Sequence, residues 1–538
     1  MAVPDEELAL PQHTETASLG LDSGDDDKVF HGAGKTERRN EDGSLRYDWD
    51  GEDDPRNPFN WSPYLKWRLT VAVLVVSILF GLPAGAYANG NDEMSRLFKV
   101  SNDGFPYLTF ATTSWNMGAA LFPLLFVPLT ETSGRIPGYF GAYITFLIFL
   151  VPCGVAKNFE TMVVCRFFGG GASSVAINIV GGTISDVWKG PQQRSLPMSL
   201  FGTTSVVGIA LGPLVGGAIV THLSFRWIYW VLLISVGALL PVFWLLLVET
   251  RGDIILAGEA QKWRKEHPHE EPRFAEGEID CPSLVNRLEV SFNRPVKMLF
   301  TEWVVFSQTL WVSFAWGLLF LFQSSVPQTF GETYGFGNFE TSLVQLALSA
   351  GAVVATLINP IQDHLYLTSA KRSKTGKPIP ESRLYSSVPG SLLFTACQPS
   401  TQGIFWYGWA IYPGVLWIVP TFGIGIVGLG IFSIYLAVVN YLTDSYEKYA
   451  ASALSAASLG RNAFGAFLPL ASPALYTHLD FHWASSLLAF VALALTLAPV
   501  ILIWKGDEIR RRSPFMKEST FNRTAAQDCG ANIAVANL

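Results

Sequence analysis

Charge is what this sequence has least of. Only 15% of its 538 residues are Asp, Glu, Lys or Arg, where soluble domains run near a quarter. A soluble multidomain enzyme of this length would need far more charge to cover its surface. Cysteine is sparse too. The five cysteines, at 153, 165, 281, 397 and 529, are odd in number and lack metal spacing, so all read as free thiols. The N-terminus has no apolar signal-peptide core, and Asp25-Asp26-Asp27 opposes a basic leader. No Gly-rich phosphate loop precedes a helix, which excludes an ATP-driven pump. His478-x3-His482 has no clear third ligand, so no metal and no cofactor is expected. Nothing suggests a nucleic-acid partner.

Long apolar runs are what the sequence does have. Apolar residues make up 49% of the chain, and the mean hydropathy is +0.30. From Leu69 onward, runs of about 20 residues, enough to cross a bilayer, alternate with short polar breaks. The expected spans are 69–90, 106–128, 138–156, 161–185, 196–220, 227–248, 303–327, 340–362, 387–408, 414–440, 450–476 and 482–504. The boundary of the ninth and tenth rests on one Pro-Gly pair at 413–414. The fold class is therefore an all-α membrane protein, twelve transmembrane helices in two six-helix pseudo-symmetric bundles.

Domain organisation follows from charge. Residues 1–60 hold sixteen acidic and six basic side chains, so the acidity belongs to a tail, expected to be disordered. Residues 61–248 form the first bundle, 249–302 a linker with a short surface helix over 257–265, 303–504 the second bundle, and 505–538 a second tail. Seventeen Lys/Arg lie on the loops of one side against four on the other. That bias puts both termini in the cytosol.

Few charges enter the runs. Arg166 and Arg461 are the exceptions, and a mid-bilayer charge costs at least about 2.5–3.5 kcal/mol. Each should face a wet cavity or a polar partner; the alternative is a structural arginine on backbone carbonyls. No Asp or Glu lies deep in a span; Asp186, Glu249, Asp363 and Asp444 sit at inner ends. Amides do lie inside, notably Asn116, Asn178, Gln308 and Gln345, with many aromatics around them. An aromatic cavity with a few amides suits amphipathic organic cargo, and helix–helix contact is the plainer reading. The fifth span carries Gly202, Gly208, Gly212-Pro213 and Gly216-Gly217, as a close-packed, kinked helix would. Glu131 and Arg135 in the loop 127–137 could form a charge latch, with Asp186 as third member.

Together these residues resemble the major facilitator superfamily, and within it the fungal twelve-span drug:proton antiporter type. The resemblance covers about 60–510. The loop 127–137 is similar to the family's loop 2–3 signature, with Val127 for its leading glycine and Ile136 for its second basic residue. Arg166 with Gly169–Gly171 resembles the fourth-span motif, and Gly208-x3-Gly212-Pro213-x2-Gly216-Gly217 the fifth-span antiporter motif. The resemblance implies proton-coupled export of a small organic molecule by alternating access, as a monomer in the lipid bilayer of the plasma membrane or the vacuole. Glu131, Arg135 and Asp186 would latch the inner gate, Arg166 and Arg461 would handle protons or substrate, and the fifth-span glycines would seal the outer path. Two other readings remain. One is uptake or facilitated transport of a sugar, polyamine or organic acid, since Glu249-Thr250-Arg251-Gly252 is faintly similar to a sugar-porter signature. The other is a membrane receptor that binds without transport.

Overall fold

The computed structural model describes residues 44–101, 106–279, 284–369, 379–385, 387–395, 403–446 and 449–516. Among them, ten helices are long and apolar enough to cross a membrane. The first six spans are Pro63–Ala86, Tyr107–Ser133, Arg135–Val155, Phe159–Val187, Gly190–His222 and Arg226–Leu246. The seventh, eighth and tenth are Trp303–Tyr334, Asn338–Ser369 and Ile418–Tyr446. The first and fourth spans begin on side-chain caps. Ser62 Oγ accepts from Leu65 N–H at 3.4 Å, and Asn158 Oδ1 from Thr161 N–H at 3.2 Å.

The eleventh and twelfth spans lie within one helical run, Ala450–Arg512, broken at Asp480, whose φ of 64° and ψ of 157° are not helical. Asp480 Oδ1 accepts from Phe481 N–H at 2.8 Å, starting the return helix. Of the ninth span, Ser387–Thr395 and Gly403–Trp409 are helical, and 396–402 lie outside the described residues, as do Cys281, Cys397 and Cys529.

Glycines set the spacing within each bundle. A methyl on Gly212 would stand 2.5 Å from Leu82 O and 2.7 Å from Ala86 N, so the first and fifth spans touch backbone to backbone. A methyl on Gly118 would strike Phe167 O, and one on Gly170 would strike Trp115 O, which joins the second and fourth spans. In the other half Gly351 lies against Gly425 O and Gly428 against Leu348 O, joining the eighth and tenth. The pairing of second with fourth span thus repeats six spans later. The halves meet where Thr113 Oγ1 donates to Ala466 O at 2.7 Å, Asn462 Nδ2 to Ala119 O at 3.2 Å, and Thr203 and Thr356 share a hydroxyl bond at 2.5 Å.

Two expectations change. The stretch 1–60 is not unstructured throughout: residues 44–60 fold, with Leu45–Arg46 pairing as a parallel strand with Arg273–Phe274 of the linker. Arg56 holds this segment together, its Nε and Nη2 on Asp54 and its Nη2 also 2.8 Å from Asp50 Oδ2. The acidic composition hid local pairing of opposite charges. The linker, in turn, is largely helical, over Gly252–Glu266 and Leu284–Thr301.

Candidate transport cavity and its gates

A cavity of about 550 Å3 lies between the halves. Phe80, Trp115, Trp316, Phe320 and Tyr435 form part of its wall, and Asn116, Asn178, Asn440, Arg461 and Asn462 supply polar groups. Its wall continues to Glu131, Arg135, Asp186, Arg194, Arg383 and Asp444, which sit at the helix ends on the face where the first span begins. That face is called the terminal face below. Toward the opposite face the path closes. Asn89 Nδ2 donates to Pro213 O at 2.9 Å and to Ser342 Oγ at 2.8 Å, and Gly217 packs against Ser342 and Asn89.

At the terminal face Arg135 is only 4% exposed. Its Nε donates to Asp186 Oδ2 at 2.9 Å, and its Nη1 to Thr130 Oγ1 at 3.3 Å. Gly182 leaves the room: a methyl there would lie 2.7 Å from the guanidinium carbon. Glu131 is exposed along the cavity mouth and, among the described residues, makes no ion pair with Arg135. The acid that joins this cluster is Glu249, at the end of the sixth span. Its carboxylate accepts from Arg135 N–H at 2.9 Å, Ile136 N–H at 3.1 Å and Arg251 N–H at 3.0 Å. It thereby caps the third span's N-terminus, where a negative charge is favoured. Gly134 makes the turn before it with φ of 97°, and a side chain there would strike the same carboxylate.

The second half carries a matching cluster that the sequence motifs did not disclose. Arg383, 6% exposed, donates from Nη1 to Asp363 Oδ1 and from Nε to Asp444 Oδ2, both at 2.9 Å. The Tyr366 ring lies 3.5 Å beneath its guanidinium. Asp363 also accepts from Ser195 Oγ and, at 3.1 Å, from Asn359 Nδ2. Ser195 belongs to the first half, so Asp363 ties the fifth span to the eighth.

The two intramembrane arginines part company here. Arg166 is 1% exposed and does not line the cavity. Its Nε donates to Ala111 O at 3.0 Å and its Nη1 to Pro83 O at 3.4 Å. The Tyr87 and Trp115 rings lie 4.1 and 5.0 Å from its guanidinium. This is the arrangement of an arginine fastening three helices through backbone carbonyls. Arg461 does line the cavity, its guanidinium 4.4 Å from the Trp316 ring and 4.9 Å from Tyr435. Of the amides, Asn116 and Asn178 reach the cavity wall, whereas Gln308 and Gln345 are buried away from it. Asn116 is also an interface group, donating to Thr112 O at 3.1 Å and Gly465 O at 3.2 Å.

Comparison with known proteins agrees with this architecture. The family model described as Major Facilitator Superfamily matches residues 73–444. A transporter of that type from Penicillium rubens, paaT, is 33% identical over 86% of this chain and 82% of its own length. The citrinin biosynthesis cluster transporter mrr1 of Monascus ruber is 31% identical over 87% of this chain and 92% of its own. The efflux pump atB of Aspergillus terreus is 31% identical over 94% and 95%. Among solved structures, the proton:xylose symporter XylE superposes with a TM-score of 0.58, at 13% identity over 83% of this chain and 96% of its own. At that identity the likeness is one of fold.

Proposed function

The chain belongs to the major facilitator superfamily, and on that premise we propose that it exports a small organic molecule by alternating access. It is a transporter and not an enzyme. The observation that carries the export mechanism is the one-ended cavity, walled toward the terminal face by Arg135, Asp186 and Arg383 and shut beyond Asn89 and Ser342. Relatives named as efflux pumps, or as transporters of a secondary-metabolite cluster, support the direction and the class of cargo. The terminal face is cytosolic on this reading, because the loops rich in Lys/Arg lie there, and the membrane is the plasma membrane.

Export then works as follows. The cytosol-facing cavity takes up cargo, the Asn89–Ser342 seam opens, and the surfaces around Arg135 and Arg383 draw together behind it, with the Ser195–Asp363 contact already made on that side. The two arginine–aspartate clusters stiffen each half at its gate, and the fifth-span glycines let the first span lie close enough to seal the far path. An inward proton gradient supplies the drive; its electrical part is worth about 2.3 kcal/mol per charge per 100 mV. Deletion of the gene, followed by comparison of cell and medium extracts, tests the reading. A small organic metabolite should accumulate inside and fall outside. Depletion inside would reverse the direction and overturn it.

A further inference from the structure

Arg461 faces no anion among the described residues. Of the other arginines that border the cavity, Arg135 and Arg251 are paired with Asp186, Arg383 with Asp363 and Asp444, and Arg194 lies at the mouth. Arg461, midway along its span, makes no hydrogen bond and no ion pair among the described residues, and its Nε is buried without an acceptor. Beside it, the Trp316 Nε1–H is buried without one as well. The carboxylates that border the cavity, Glu131, Asp186 and Asp444, all belong to its mouth. The depth of the cavity thus has a net positive charge and two donors in want of an acceptor.

The shape of the site narrows the ligand. Trp316 and Tyr435 stand against the Arg461 guanidinium, with their own rings 5.7 Å apart. The two rings crowd one side of the guanidinium, hold it by cation–π attraction and leave N–H edges on its other side for an acceptor. A planar carboxylate meets two such edges at once, which an ammonium in the same place could not reproduce. Trp115, Phe80 and Phe320 offer aromatic surface for the rest of the molecule. A volume of about 550 Å3 falls within the range that accepts drug-sized ligands.

We propose that the cavity binds an aromatic monoanion, its carboxylate on Arg461 and its ring system among Trp316 and the neighbouring aromatics. The inference rests on the export reading for the identity of the cavity as the cargo site. Equilibrium binding to the full chain in lipid nanodiscs tests it without transport. Three probes share one ring system: 1-naphthoate, the neutral 1-naphthamide and the cationic 1-naphthylmethylammonium. The naphthoate should bind at least tenfold tighter than either of the others. Arg461→Gln should erase that preference while leaving the amide unchanged, and Arg461→Lys should restore only part of it. Equal binding of the three probes by the unaltered chain would overturn the proposal, whatever the variants do. So would an Arg461→Gln chain that keeps its preference for naphthoate. A chain that prefers naphthoate and exports nothing would refute the export reading and support this one.

Discussion

Arg135 and Arg383 make the same bond in opposite halves: the Nε of each lies 2.9 Å from an aspartate Oδ2, Asp186 in one case and Asp444 in the other. Both aspartates lie near the end of a long helix, the fourth and the tenth spans, and both arginines stand at or just before the start of the preceding span, the third and the ninth. The two halves thus share an arginine–aspartate arrangement at the terminal face even though their sequences show little likeness. Their buried pairs lie within a half, so each cluster holds its own bundle rigid.

Removing one partner of such a pair leaves an uncompensated charge out of water, at a cost of about 3–5 kcal/mol. Asp186→Asn and Asp444→Asn should each lower the melting temperature of the detergent-solubilised protein. Combining Asp186→Asn with Arg135→Gln should cost less than the two single changes added together. Strict additivity would show that the pair is not energetically coupled.

Gly212 should tolerate nothing larger. With a methyl placed 2.5 Å from Leu82 O, Gly212→Ala forces the first and fifth spans apart, a strain of about 1–3 kcal/mol. Gly212→Val should reach the membrane and lose export. Gly237 has nothing within 4 Å of such a methyl, so Gly237→Ala is the matched control and should keep both. Fluorescent tagging for location, together with extract profiling for export, separates the two outcomes.

For Arg166 the prediction concerns stability ahead of cargo. Arg166→Leu removes the guanidinium's hydrogen bonds to Ala111 O and Pro83 O, each worth about 1.5–3 kcal/mol for a charged donor. The variant should melt earlier, and its cargo affinity in the surviving folded fraction should be unchanged. A variant that melts normally and loses only its response to a pH gradient would restore the proton-handling role that its sequence motif implies.

The folded segment 44–60 should respond to acid. Arg56 beside it holds the Asp54 carboxyl well below the usual carboxylate range. A depressed folded pKa means stabilisation that is complete above the unfolded value of about 3.9 and drains away as pH falls through the folded one. Limited proteolysis should find the segment protected at neutral pH and increasingly cut below about pH 4. Arg56→Gln should expose it already at neutral pH.

The spans were legible because a helix in lipid must be apolar along about 20 residues, and that requirement writes itself into composition. The Gly212 region was legible for a related reason, since only glycine permits the contact with Leu82. Arg166 and Arg461 were not separable by sequence. Both follow apolar stretches with glycines nearby, and a span that is apolar all round carries no phase to say which side meets a cavity. Arg383 carries no signal in the sequence, because Glu381-Ser382-Arg383-Leu384 is an ordinary polar loop until the eighth and tenth spans bring Asp363 and Asp444 to it. Glu249 reads in the sequence only as a helix end, because its partners Arg135 and Ile136 lie more than a hundred residues away.

The seam between the halves is sewn with single polar stitches: Thr113 to Ala466 O, Asn116 to Gly465 O, Asn462 to Ala119 O, Asn89 to Ser342. Among the described residues no ion pair crosses it. Each stitch is worth only about 1 kcal/mol net, because water offers a replacement bond. Parting the halves therefore separates no opposite charges, since Asp363 gives up only the Ser195 hydroxyl and keeps Arg383, and the opening can proceed one small exchange with solvent at a time.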